Sequence, residues 1–352
     1  MDIKMNVYDV IIIGGGQSAL ATAYFLKREK INFLILDASA IPGGAWNHAW
    51  TSLKLFSPKE YSSLPGWMMP PTKETYPSRD EIISYLTEYE KRYEFEVRRP
   101  VHVSSVTKKG EEFLLSTNQG TFTSKVVISA TGNWSGPFIP NYKGLNDFQG
   151  EQIHSAFYQG PEHFQNKRVL IVGGGNSGAQ ILAEVSKVAD TIWVTRENPE
   201  FLPDDVDGRY LFNIATKKYQ AMLKGEEVKD EYNLAKIVMV DSVKEARQRD
   251  VLHARPPFSE LRSHSVLWNG GSEEKIDSII WCTGFKSKLD HLEPLDVINN
   301  EGRVDTKDSQ SLKCPGLWLV GYGDWTGFAS ATLIGVQRTA KQTASEVREY
   351  LS

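Results

Sequence analysis

The chain has 352 residues, enough for about two domains that each bury a core without staples. It is 40% hydrophobic and 24% charged, with a formal net charge of −4 and scattered basic residues, which gives no reason to expect nucleic acid as a partner. Two cysteines, Cys282 and Cys314, are too few and too far apart for a disulfide framework or a zinc site, and fit a reducing compartment.

Residues 8–13 form a β-branched apolar run, suited to a strand buried on both faces. The run falls short of the ~20 residues of a membrane helix. It also lacks the cationic start and small-residue cleavage site of a signal peptide, so a cytoplasmic protein with no membrane partner is expected. Gly14-Gly15-Gly16 forces a tight turn, residues 17–30 carry Leu20, Tyr24 and Leu26 on a helical period, and residues 33–36 form a strand that ends at Asp37. This is a complete β-α-β unit. Residues 46–77, rich in Pro and aromatics, predict loops and short helices. A helix follows over 80–93, strands over 101–106, 113–116 and 126–129, and a linker at 137–140. A second β-α-β unit then appears: strand 168–172, turn Gly173-Gly174-Gly175, helix 176–188 and strand 191–194. Residues 201–255 are polar and mostly helical in pattern; strands at 276–281 and 316–320 and a closing helix over 329–350 complete the chain. The fold class is α/β with two Rossmann-like dinucleotide-binding domains.

Each glycine has its own mechanical task. Gly14 permits the turn, Gly16 lets the backbone approach a pyrophosphate, and Ala19 is small enough for the helix to pack on the strand. Gln17 and Ser18 open that helix, whose N-terminus favours negative charge. Asp37, 21 residues after Gly16, suits a ribose diol. In the second unit Gly173, Gly175 and Gly178, with Asn176 and Ser177, repeat the design 159 residues downstream. The same offset of 21 from Gly175 falls on Arg196, whose guanidinium can fork onto a 2′-phosphate, with Thr195 adding a hydroxyl. NADPH is therefore favoured. Glu197 leaves NADH open, because it can pair with Arg196 or hold a ribose hydroxyl.

The segment Phe148-Gln149-Gly150-Glu151-Gln152-Ile153-His154-Ser155-Ala156-Phe157-Tyr158 fits F-x-G-x-x-x-H-x-x-x-Y. With this segment the chain resembles, over nearly its whole length, the flavin-containing monooxygenase superfamily, in particular its short bacterial members. The resemblance implies FAD at the first turn. Gly43-Gly44-Ala45-Trp46 resembles the G-G-x-W that passes close to the flavin. Ala130-Thr131-Gly132 and Cys282-Thr283-Gly284-Phe285 resemble the two interdomain crossings. Asp324 resembles the acid at the ribityl chain, and Val103 the residue whose backbone meets the adenine. It further implies a discontinuous FAD domain, residues 1–160 and 276–352, with an NAD(P)H domain, 161–275, inserted between. The fingerprint would lie in the connection leading to that domain.

The implied chemistry is hydride transfer from NADPH to the flavin and addition of O2 at flavin C4a. The peroxide then oxygenates a small molecule, either a sulfide or amine or a ketone at the adjacent carbon. One departure stands out. Larger members carry an active-site Asn shortly after G-G-x-W, whereas residues 53–60 here contain none and place Phe56 or Ser57 there. A reductase or oxidase that inserts no oxygen therefore stays open, with a non-catalytic redox sensor as a third reading. The disulfide-reductase version is set aside for want of a C-x-x-C. His154 is expected to organise the linker rather than carry a proton. Trp46 and Trp325 are expected beside the cofactor, Asp204-Asp205-Val206-Asp207 as a solvated turn or helix start, and Arg209 at the surface. Residues 328–332 would start the last helix and aim its N–H groups at the flavin. The sequence indicates neither the substrate nor the oligomeric state.

Overall fold

The computed structural model describes residues 7–224, 236–327 and 329–352. The chain forms two compact units, one built from residues up to 47, 57–136 and 286–352, the other from 48–56 and 137–285. Among the described residues no helix is long and apolar enough to cross a membrane.

The first unit opens with β1 (Val7–Ile13), α1 (Gln17–Arg28) and β2 (Phe33–Leu36). β1 and β2 pair in parallel, Val10 to Phe33 through Ile13 to Leu36, and Val10 to Ile13 are almost wholly shielded from solvent. Parallel strands covered on both faces want this continuous β-branched run. Short helical turns at Gly44–His48 and Lys59–Tyr61 interrupt the Pro-rich stretch. α2 (Arg79–Arg92) starts on a full capping box, with Ser78 accepting from the backbone of Glu81 and Glu81 accepting from that of Ser78. β3 (Val97–Arg98), β4 (Val103–Lys109), β5 (Glu112–Thr117) and β6 (Gly120–Ser129) follow.

The chain then builds the second unit. β7 (Glu151–His154), β8 (Arg168–Val172), α3 (Asn176–Val185), β9 (Asp190–Val194), α4 (Gly208–Lys224) and α5 (Asp241–Gln248) precede five short strands. These are β10 (Ala254–Arg255), β11 (Glu260–Arg262), β12 (Ser265–Leu267), β13 (Glu273–Lys275) and β14 (Ser278–Trp281). An all-parallel sheet runs β10-β9-β8-β14-β7, and β11-β12-β13 make a separate antiparallel sheet. Part of the excursion over 201–255, residues 225–235, lies outside the described residues.

Back in the first unit, β15 (Thr306–Lys307), β16 (Gln310–Ser311) and β17 (Leu317–Leu319) lead to α6 (Val336–Leu351). The first sheet has the order β15-β16-β17-β6-β1-β2-β3, with the β4–β5 hairpin joined to β6. Its parallel centre β17-β6-β1-β2-β3 is the doubly wound arrangement whose ligands bind beyond the carboxyl ends of the strands.

Two expectations need correcting. The boundary expected at 160/161 and 275/276 moves to 136/137 and 285/286, because β7 and β14 pair with each other and β14 pairs with β8. The fingerprint is thus no bare connection, since it contains an edge strand of the second sheet. The last helix begins at Val336, not at 328–332. Ala329 adopts φ 56°, a left-handed conformation that a helix start does not have, and Phe328 lies outside the described residues.

Candidate functional site

The first glycine turn is compressed on every side but one. Gly14, at φ 107°, donates its N–H to Leu36 O, and a Cβ on it would stand 2.5 Å from Ala130 O and 3.2 Å from the Thr131 Cα. Only glycine fits there. A Cβ on Gly15 would strike the Asp37 carboxylate, whereas Gly16 has only the Gly44 Cα nearby, at 3.9 Å. The turn thus brings together Gly14, Gly16, Asp37, Gly44 and the crossing Ala130-Thr131-Gly132, all expected from sequence. Trp46 Nε1 donates to Gln17 Oε1 at 3.0 Å, and Gln17 Nε2 donates to Ala331 O at 2.7 Å, which fixes the orientation of the Gln17 amide. Ser18 and Ala19 are buried, with Ser18 beneath Gly321.

Helix α1 has no side-chain cap at Gly16 and no acid in its first turn, and α3 is the same at Gly175. By contrast, α2 caps itself fully. α5 and α6 also start without a side-chain cap, but α5 carries Asp241 in its first turn and a Cβ on Gly335 before α6 would meet Ala329 O at 2.1 Å, whereas the starts of α1 and α3 each follow a glycine with open space in front of it. Those two starts offer the donor set for a pyrophosphate.

The second turn repeats the first with different chemistry at its rim. A Cβ on Gly173 would meet Cys282 O at 2.1 Å, so Cys282-Thr283-Gly284 stands where Ala130-Thr131-Gly132 does in the first unit. Gly178 lets α3 lie against Gly173 O, which also accepts Trp193 Nε1 at 2.8 Å. Gly173 N donates to Val194 O just as Gly14 N donates to Leu36 O. Val194 therefore matches Leu36, and the residue matching Asp37 is Thr195, not Arg196. Counting 21 residues from Gly175 overshoots by one. Thr195 is buried beside Gly174, while the Arg196 side chain is 89% exposed, 3.6 Å from Glu197. Asn176 is committed to the protein: Oδ1 accepts from Val238 N and Nδ2 donates to Lys236 O. Ser177 lies half-buried beside it.

The fixed positions of the fingerprint have structural reasons. The Phe148 ring and Asp277 O leave no space for a side chain at Gly150. The buried Tyr158 donates to Glu184 Oε2 at 2.9 Å. His154 Nδ1 accepts from Ala156 N at 3.1 Å, so Nε2 carries the proton and donates to Gly284 O at 2.9 Å. Burial lowers the pKa of His154 below the ordinary imidazole range, against the opposing pull of the Gly284 carbonyl. Both ring nitrogens are used, and Gly284 O also accepts from Phe138 N. The neutral ring is a brace for the second crossing.

Phe56 stacks on Phe212 at 6.3 Å beside the apolar group Leu202, Val206, Leu211 and Val238. Ser57 is buried, with its hydroxyl 2.8 Å from that of Ser62. Neither offers an amide donor in place of the Asn. Asp324 is exposed, and Val103 is buried at the start of β4. Trp325 stacks on Tyr322 at 5.4 Å. Asp204 pairs with Arg247, and Asp207 with Arg209.

Sequence reasoning missed two groups. Arg99 pairs with Asp37 and Glu90. Tyr322 hydroxyl lies 2.7 Å from Thr131 Oγ1 and 2.5 Å from Ser129 Oγ, which in turn lies 2.9 Å from His291 Nε2. This buried network pins the first crossing. Tyr322 precedes Gly323-Asp324, the one signal that could have drawn attention to it.

Residues 11–321 match the pyridine nucleotide-disulphide oxidoreductase family. The fold superposes on the flavin-containing monooxygenase from Stenotrophomonas maltophilia with a TM-score of 0.91 and 46% identity, covering 99% of this chain and 100% of that one. The oxidoreductase CzcO of Bacillus subtilis is 31% identical over 97% of this chain and 99% of its own length. A probable indole-3-pyruvate monooxygenase of Arabidopsis thaliana, YUCCA4, is 27% identical over 89% of this chain and 84% of its own. The chain belongs to the flavin-containing monooxygenase superfamily and is an oxidoreductase of the flavoprotein monooxygenase class. Membership implies a flavin and a nicotinamide cofactor, and the two open glycine turns suit a pair of such nucleotides.

Proposed function

We propose that this chain is an FAD- and NADPH-dependent monooxygenase that places one atom of O2 on a soft nucleophile, a sulfide or an amine, or beside a ketone. The supporting observation is the pair of open, uncapped helix starts, one with a carboxylate at its rim and the other with threonine and arginine. The overall balance for a thioether is NADPH, H⁺, O2 and sulfide giving NADP⁺, water and sulfoxide. Bound flavin supplies hydride acceptance and O2 activation; the protein supplies position, electrostatics and exclusion of water.

In this reading the start of α1 holds the FAD pyrophosphate, Asp37 its ribose, and Val103 its adenine through the backbone. Gly44, Trp46, Ala130, Thr131, Gly132 and Asp324 line the rest of its path. Gly173, Gly175, Asn176, Ser177 and Gly178 form the NADPH turn. Thr195, a hydroxyl where the first turn has a carboxylate, leaves a 2′-phosphate unrepelled, and the exposed Arg196 can turn from Glu197 to fork onto it. His154 is a positioning residue that steadies Gly284.

The test is steady-state NADPH oxidation under ¹⁸O2 with methyl phenyl sulfide. One labelled oxygen in the sulfoxide supports the reading. NADPH loss matched by hydrogen peroxide, without labelled product, decides for an oxidase that inserts no oxygen. The side chains at Phe56 and Ser57 are the specific observation in favour of that second reading, because neither provides the missing amide.

A further inference from the structure

Asp37 is buried, and its carboxylate lies against the first glycine turn. Burying a carboxylate is costly unless it is paired with a cation and hydrogen-bonded. That cation comes from a distant part of the sequence. Arg99 Nε donates to Asp37 Oδ2 at 2.7 Å, while Nη1 and Nη2 fork onto the two oxygens of Glu90, each at 2.7 Å. The side chains are 8%, 11% and 16% exposed for Asp37, Arg99 and Glu90. Glu90 belongs to α2. The backbone closes the same junction: Asp37 N donates to Arg98 O, and Val101 N donates to Asp37 O.

The lone-pair count is informative. Asp37 Oδ1 accepts from Ser39 N at 3.2 Å and Oδ2 accepts from Arg99. A carboxylate offers about four acceptor sites, so one remains on each oxygen. That is what a vicinal diol with two O–H donors requires. The Arg99 fork is committed to Glu90 and cannot swing to a phosphate. Its influence on a nucleotide runs through Asp37.

We infer that Arg99, locked by Glu90, is a positioning residue that holds the Asp37 carboxylate in place and aimed at the ribose diol of the flavin nucleotide, making α2 part of nucleotide recognition. This rests on the reading of the first turn as the FAD site.

The experiment titrates flavin-stripped full-length protein with FAD and with the FAD analogue lacking the adenosine 2′-hydroxyl, following flavin fluorescence. Wild type is expected to prefer FAD by about tenfold or more, the worth of a hydrogen bond to a charged acceptor. Arg99→Gln and Glu90→Gln should each cut that preference to about threefold or less, chiefly by weakening FAD. Asp37→Asn added to Arg99→Gln should then cost little more. If both variants weaken FAD and the analogue by one common factor, or leave the preference intact, Arg99 acts only as structural support and the inference is overturned. Should Arg99→Gln fail to fold, Glu90→Gln carries the same readout with the arginine retained. A wild type that binds flavin without distinguishing the two removes Asp37 from the ribose. One that binds no flavin sinks the site reading itself, and either result takes the inference with it.

Discussion

Replacing Gly175 with alanine separates what the fold needs from what a ligand needs. Gly175 has φ −98°, which any residue adopts, and a Cβ on it meets no protein atom within 4 Å. Reduced freedom of the unfolded chain favours alanine by about 0.4–1 kcal/mol. Alanine is a poorer N-cap by roughly the same amount, so the melting temperature of the nucleotide-free protein should hardly move. A bound dinucleotide has no such tolerance, because its pyrophosphate must approach that backbone closely. A methyl group in the way costs about 1–3 kcal/mol, or roughly 5- to 150-fold in affinity. The assay is KM for NADPH and the anaerobic rate of flavin reduction, set beside a thermal melt. Gly178→Ala is the contrasting control: its Cβ would stand 2.1 Å from Gly173 O, so it should destabilise the protein with no nucleotide present. An unchanged KM in a well-folded Gly175→Ala variant would refute the cradle at the second turn.

Arg196→Ala should raise KM for NADPH by about tenfold or more, the scale of a lost charge-assisted phosphate contact, and leave NADH within about twofold; equal losses for both would mean that Arg196 does not read the 2′-phosphate. Thr195→Asp places a carboxylate where the first unit has Asp37, so kcat/KM should fall for NADPH and hold or rise for NADH, and an unchanged ratio would undo the register argument. Burial holds the His291 imidazole at about 4, with Asp290 pulling it up and His102 down. Because this folded value lies below the ordinary ~6.5, stability is intact above pH ~6.5 and falls by about 3 kcal/mol as pH drops towards 4. His291→Gln should flatten that acid limb in urea denaturation, and an identical slope would mean that the folded protein does not disfavour the charged ring.

The β-α-β units were legible because their strands are apolar runs closed by glycine, a pattern with few other uses. β1, β2 and β8 lie where the runs lie. Glu151–His154 was not legible: its residues are mixed in polarity, and it is a strand because β14 offers an edge to pair with. β11, β12 and β13 have three residues each and leave no periodicity to detect. The Thr195 register turned on one residue. Val194 follows Gly175 by 19 positions where Leu36 follows Gly16 by 20, and only the hydrogen-bonded register shows which residues correspond. Arg99 pairs with an acid 62 positions away, a tertiary fact with no local signal. The glycine turns were readable because close backbone approach restricts residue type directly, whereas the crossings and Trp46 came from the family resemblance.

The central claim, oxygen transfer rather than simple reduction of O2, is tested most directly by rapid mixing. The protein is reduced anaerobically with NADPH and mixed with O2, with and without methyl phenyl sulfide, while flavin absorbance is followed and products are counted. The account predicts a species spectrally distinct from reduced and oxidised flavin, consumed faster with the thioether present, and sulfoxide formed in step with NADPH. Direct return to oxidised flavin with one hydrogen peroxide per NADPH and no sulfoxide would contradict it.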